Sequence, residues 1–240
     1  MTFETNVFVN CPFDDAYKPL LRPLLFTLLF LGLKPRIATE RVDTGEQRIT
    51  KIIGLIHESK YAIHDLSRIK AQKKGEMFRL NMPFELGIDV GCRQFGAPPL
   101  DSKRFLVLAA ERYEYQAAIS DISGSDIGVH NNDANQVVKV VRAWIANQTG
   151  ISVGPAAIWA AFNDCMAKLS DDFEAEGFDL SDIQDLPVPE LIKYMERWIL
   201  IHNAKKAILS AGASGKHKGT SGDRIFESLS SWGMSSGKNA

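Results

Sequence analysis

Three short stretches of this chain carry side chains that could do chemistry: Asn10-Cys-Pro-Phe-Asp-Asp15, His64-Asp-Leu-Ser67 and Asn81-Met-Pro-Phe-Glu-Leu-Gly87. The first two follow short apolar runs, and the third opens around Pro83, which favours a first helical turn. Glu85 lies in that turn, where the partial positive charge of a helix N-terminus favours an ionised carboxylate. Such a carboxylate beside a cleft can stabilise, or covalently capture, an oxocarbenium-like sugar carbon as its base leaves. The plainer reading makes Glu85 an acidic first-turn residue and nothing more. Helical spacing predicts that Phe84, Ile88, Gly91 and Phe95 face the sheet, with Glu85 about 100° away at the border of that stripe.

The elements that must position these groups alternate between strand and helix. Asn6–Asn10 is a β-branched and aromatic run expected as a buried strand. Residues 17–31 read as a helix that Pro23 should kink and Gly32 should end. Strands are predicted at 34–38, 61–65 and 103–109, with an ambiguous edge strand near 119–122. Helices are predicted at 47–59, with Ile49, Ile52, Ile53 and Ile56 as its apolar stripe, at 83–93 and at 132–147. Short parallel strands joined by helices imply an α/β fold, a doubly wound, mostly parallel sheet. Right-handed crossovers then bring the three stretches to one edge of the sheet, where open sheets of this kind bind ligands.

From residue 153 the periodicity changes. Helices are predicted at 156–169 and 189–207, with the acid-rich 164–196 as a solvated loop, so the chain reads as an α/β domain (1–152), a helical appendage (153–209) and a Gly/Ser-rich tail (210–240). The tail is expected to hold a linker over 210–222, one short amphipathic helix at 224–232 and a frayed end. The connection 66–80 is long for a βα loop and rich in Lys and Arg.

Composition excludes several classes. With 28 Lys+Arg against 29 Asp+Glu the net charge is −1, which rules out a polycation holding nucleic acid by bulk charge. The cluster Arg68, Lys70, Lys73, Lys74 and Arg79 is read as a solvated loop, so nucleic acid is not an expected partner. Cys11, Cys92 and Cys165 are odd in number and far apart, which argues against a disulfide framework or a cysteine zinc site. Reduced thiols and an acidic N-terminus without a basic leader point to the cytoplasm. The longest apolar run, 23–33, is about half of what spans a bilayer and is expected as a buried helix. GxGxxG after the first strand, GxxxxGK[ST] and HExxH are all missing. No metal ligand set is expected, and the five histidines are read as surface or packing residues.

Val7-Phe-Val-Asn-Cys-Pro-Phe13 resembles the opening of the nucleoside deoxyribosyltransferase family, an apolar strand ending in a small-Pro-Phe turn. Pro83-Phe-Glu-Leu-Gly87 is similar to that family's Glu-Leu-Gly signature, and to the Glu-plus-hydrophobic position of the related TIR-like NAD hydrolases. The resemblance covers about residues 5–110. It implies a flavodoxin-like or TIR-like three-layer fold, with Glu85 as the catalytic carboxylate. Asn10, Phe13, Asp14, Asp65 and Asn81 then line the substrate pocket. Phe13 would stack on a base or nicotinamide, and Asn10 and Asp14 would meet sugar hydroxyls. Core packing is the competing reading for Phe13, helix capping for Asp14 and Asn81. Cys11 is read as a small buried residue.

The activity so implied is cleavage of the C1′–N bond of NAD or a nucleoside or nucleotide by an N-glycosidase or glycosyl transferase. It needs no cofactor, with NAD as a candidate substrate. Compact TIR-like effectors of bacterial antiviral systems supply a biological context. The family's Gly-rich approach to the Glu is replaced here by Arg79-Leu-Asn-Met-Pro83, and the appendage matches neither pattern. The competing functions are a non-catalytic nucleotide-sensing module and a protein-interaction module. The aromatic-rich helices after 153 are expected to pack onto the α/β domain as core, with an interface to a homo-oligomer or a protein partner as the alternative.

Overall fold

The computed structural model describes residues 3–40, 43, 45–69, 80–113, 115, 119–122 and 126–214. Its five strands are β1 (Asn6–Asn10), β2 (Lys34–Arg36), β3 (Tyr61–Asp65), β4 (Arg104–Ala109) and β5 (Gly128–Val129). All pairings are parallel, in the order β2-β1-β3-β4-β5. The seven helices of these residues are α1 (Lys18–Phe30), α2 (Arg48–His57), α3 (Asn81–Phe95), α4 (Ala134–Thr149), α5 (Pro155–Ala175), α6 (Leu180–Gln184) and α7 (Val188–Ser214). The expected α/β class with a parallel sheet and C-terminal helices is what the chain adopts.

β1 and β3 are buried at every position, because helices cover both faces of the sheet. α1 and α4 pack on one face, where the Tyr61 and Trp144 rings meet edge to face at 5.9 Å. α2 and α3 cover the other, where Phe8 and Ala62 pack against Ile52, Leu55 and Ile56. The apolar run forms α1, whose Leu24, Leu25, Phe26 and Leu28 are wholly buried. Each such side chain contributes about 1.5–3 kcal/mol by leaving water. Helix α1 runs on through Pro23. It ends at Gly32, whose φ of +78° lets Leu33 N–H reach Leu28 C=O and Gly32 N–H reach Leu29 C=O. Gly128 permits the close approach of α4 to β5: a Cβ there would lie 2.4 Å from Val140 Cγ1.

Several expectations are corrected. The edge strand is Gly128–Val129, while residues 120–122 form a 3-10 turn. In α2 the buried residues are Ile52, Leu55 and Ile56, with Ile49 and Ile53 exposed. The segment 164–196 is mostly helical, because Leu169, Phe173, Ile183 and Leu191 bury apolar surface between its charges. There Tyr194 Oη donates to Asp172 Oδ2 at 2.6 Å. Residues 210–214 continue α7 instead of starting a linker. The expected Lys/Arg-rich stretch 70–79, the remaining linker and the amphipathic helix at 224–232 lie outside the described residues.

The chain divides into two compact units, Met1–Glu196 and Arg197–Ala240. In the first, α5 packs against α1 and α4, with Phe26 and Phe162 edge to face at 5.6 Å. In the second, Trp198 stacks on His202 at 4.6 Å. Among the described residues, no helix is long and apolar enough to cross a membrane.

Candidate functional site

The strand order reverses between β1 and β3. The connection leaving β1 leads to helix α1 on one face, and the connection leaving β3 leads to α3 on the other, so their carboxyl ends form the topological switch point at which open sheets of this kind bind ligands. Asn10 pairs with His64 in register at this edge. Side chains alternate across a strand, so Asn10 and His64 turn toward α3 while Asp65, one residue on, turns toward α1.

On the α3 side a buried polar chain forms. Asn10 Nδ2 donates to Met82 C=O at 2.9 Å and to His64 Nδ1 at 3.0 Å. That leaves the His64 ring proton on Nε2, 3.0 Å from Asp89 Oδ2. Lys103 Nζ completes the chain 3.1 Å from Asp89 Oδ1 and donates to the carbonyls of Ile56 and Ser59. Lys103 and Asp89 are both fully buried, and each compensates a charge that alone would be costly.

On the α1 side Asp65 is the hub. Its Oδ2 accepts from Tyr17 Oη and lies 3.1 Å from His130 Nε2. Its Oδ1 accepts from Ser67 N–H at 2.8 Å and from Ser67 Oγ. Burial pushes the Asp65 carboxyl up, but hydrogen bonds from His130, Ser67 and Tyr17 outweigh it and hold the group below its ordinary value. Burial and the neighbouring Asp65 push the Tyr17 phenol up, which keeps it a donor.

Asp65, Ser67 and His130 have the residue types of a nucleophilic triad but not its wiring. His130 Nδ1 accepts Asn132 N–H at 3.1 Å, so Nε2 carries the proton and points it at Ser67 Oγ, 2.7 Å away. A serine nucleophile needs an acceptor nitrogen at that place. The cluster therefore holds the loop after β3 instead of activating Ser67.

Glu85 sits in the second turn of α3 and is only 6% exposed. Helix α3 is rotated from the orientation that its apolar spacing predicts: Met82, Glu85, Leu86 and Asp89 are buried, while Phe84 and Phe95 face outward. Two charges thus point inward because Lys103 and His64 wait for Asp89. The nearest cation to Glu85 among the described residues is Arg48, the first residue of α2, with Nη2 at 3.9 Å from Oε1. Burial pushes the Glu85 carboxyl up to about 7, with Arg48 opposing. This corrects the expectation of a carboxylate kept ionised by the helix N-terminus: desolvation is the larger effect. Cys11 is buried, and its thiol is pushed well up by burial and by the charges of Asp65, Glu85 and Asp14.

The expected site residues therefore fall into three groups. Glu85 and Asp14 both act on Cys11 electrostatically, and Arg68 Nη2 lies 3.7 Å from Asp14 Oδ1. Asp14 also accepts Tyr17 N–H at 3.1 Å and so caps the turn into α1. Asn10 and Asp65 are buried at the same edge, with the hydrogen-bonding groups described above turned into the fold. Phe13 is half-buried in the loop after β1, and Asn81 is exposed at the start of α3, without a capping bond. Asp89, Lys103, His130, Tyr17 and Arg48 are not marked by the sequence as members of these networks, and His64 and Ser67 stand out there only as part of the stretch His64-Asp-Leu-Ser67. The signal for Asp89 was its i, i+4 spacing from Glu85, readable once that helix face is known to point inward.

Among the described residues, no group of three or more His, Cys, Asp or Glu side chains could hold a metal ion. Comparison with protein-family models, with curated proteins and with solved structures finds no match for this chain.

Proposed function

We propose that this chain cleaves the C1′–N bond of NAD or of a nucleoside or nucleotide, with Glu85 as the carboxylate that meets the sugar carbon. The observation that carries the reading is Glu85 itself: a carboxyl 6% exposed, at the strand-order reversal, whose nearest described cation stands off at 3.9 Å. A desolvated carboxyl of that kind is held in an unfavourable state that a developing cation relieves. As the C1′–N bond breaks, its electron pair leaves with the base and positive charge develops on the ribose. Ionised Glu85 stabilises or captures that carbon. Water or a second base then attacks C1′, which frees the Glu85 carboxylate to take the nucleophile's proton.

A pyridinium nucleotide suits this site well. Its base departs neutral and needs no acid, so one carboxylate suffices, whereas a neutral nucleoside needs a proton for its leaving base. Arg48 and Arg68, beside Glu85 and Asp14, suit the phosphates of a nucleotide. The test is incubation with NAD and with a nucleoside panel, read by chromatography beside Glu85→Gln. Release of nicotinamide or free base by the wild type and its loss in a folded variant supports the proposal. Equal release by both defeats it.

A second reading, a nucleotide-sensing module without turnover, is favoured by one observation. Asn10 and Asp65 make hydrogen bonds within the fold, to Met82 and His64 and to Tyr17 and Ser67. Saturable nucleotide binding without product under all conditions would select it.

A further inference from the structure

The outer face of α3 is apolar, with nothing covering it among the described residues. Leu80 and Phe84 are each 60% exposed and Phe95 is 89% exposed. Between them Gly87 and Gly91 leave open space, since a Cβ at either would meet no atom within 4 Å. Ile88 flanks the stripe, partly buried against the core. Apart from Ile88, this face lies opposite the residues that α3 turns inward, Met82, Glu85, Leu86 and Asp89.

From this face we infer that a second copy of the chain docks antiparallel on α3 across a two-fold axis. The reason is the order of large and small residues. The spacing of positions 80, 84, 87, 88, 91 and 95 is the same in both directions, and about its midpoint Phe84 mirrors Gly91 and Gly87 mirrors Ile88. A two-fold between 87 and 88 therefore sets Leu80 against the partner copy's position 95, Phe84 against 91 and Gly87 against 88. Each phenylalanine at 84 then meets the gap left by a glycine, and each glycine at 87 meets an isoleucine. An isologous interface requires this self-complementarity, in which one surface supplies both knob and hole. Small residues spaced four apart also let two helices approach closely.

The area fits a modest dimer. At ~150–250 Å² per aromatic side chain, the exposed parts of Phe84 and Phe95 offer roughly 300 Å² per copy. With Leu80, Ile88 and the glycine surface, the pair buries on the order of 1,000 Å² in total, the lower bound for specific association and the class of weak, concentration-dependent contacts. The inference does not rest on the proposed chemistry at Glu85.

Sedimentation or light scattering on the full chain over a wide concentration range tests it. A monomer–dimer equilibrium is expected. Phe95→Glu should weaken it by at least ~10-fold, because it sets a carboxylate against Leu80 of the second copy. Gly91→Gln should also weaken it, while a thermal melt shows the fold kept, because glycine is the poorer helix former. Adding Leu80→Lys to Phe95→Glu should restore association, because the two positions face each other across the axis. A monomer at every concentration overturns the inference, whether solvent or the chain's own residues cover the face. A dimer unmoved by Phe95→Glu and Gly91→Gln overturns it too, because the contact then lies away from α3.

Discussion

The Glu85 carboxylate and the Arg48 guanidinium approach to 3.9 Å, one nearly buried and the other 61% exposed. At that separation the arginine supplies charge without a hydrogen bond, so it relieves only part of the desolvation of Glu85. The carboxyl is left near the midpoint of its titration at neutral pH, which makes several properties of this chain measurable.

Removing the guanidinium should move the Glu85 titration further upward. In Arg48→Ala, the rising limb of activity with pH, or a direct carboxyl titration by NMR, is expected to shift to higher pH than in the wild type. Raising the salt concentration should shift the wild type in the same direction, because Arg48 is solvent-exposed and screened. A downward shift in Arg48→Ala would contradict this arrangement.

Glu85 should also cost stability as pH rises. The unfolded chain ionises this group near its ordinary value of 4.5, while the folded chain holds the proton up to about 7. Folded stability therefore falls between those two values and levels off above the higher. Glu85→Gln removes the penalty. The variant should match the wild type near pH 4 and exceed it by about 1–2 kcal/mol at pH 8, less than the full shift implies because partial solvent access discounts it. Denaturant melts at the two pH values give the comparison.

Lys103 is expected to be far less dispensable than its place before an edge-proximal strand suggests. Lys103→Met leaves Asp89 buried without its cation and should cost about 3–5 kcal/mol. Adding Asp89→Asn should recover a large part of that loss. Urea unfolding of the two single variants and the double variant provides the cycle, and additive effects would show that the pair is not coupled.

Ser67→Ala should leave any glycosidic activity within a few-fold of wild type and lower stability by about 1 kcal/mol, the usual worth of a lost hydrogen bond. Complete loss of turnover in a folded Ser67→Ala protein would mean that His130 does act on the hydroxyl, against its hydrogen bond from Asn132 N–H.

Much of the fold could be read before any coordinate was placed. β1 and β3 end where their apolar runs end, and the helix 132–147 appears as α4 with Asp133 as its cap. The shared edge of the strand carboxyl ends followed from strand–helix alternation and the handedness of the crossovers, while the strand order came from the structure. What misled was helix α3. Phe84, Ile88, Gly91 and Phe95 form a credible buried stripe by spacing, yet Met82, Glu85, Leu86 and Asp89 are the residues turned inward. The choice between these faces depended on Lys103 and His64, which come from two other elements.

The sequence by itself determined the class of fold, the order of strands and helices along the chain and the edge at which Asn10, Asp65 and Glu85 gather. These depend on local periodicity and on the handedness of the backbone, which a linear pattern carries. Only the tertiary structure decided the charge state and the surroundings of those groups. It closed Asn10 onto His64 and Met82, ringed Asp65 with Tyr17, Ser67 and His130, and among the described residues left Glu85 with one distant arginine. Desolvation and hydrogen bonding act through space between residues far apart in the chain, so no spacing rule could have assigned them.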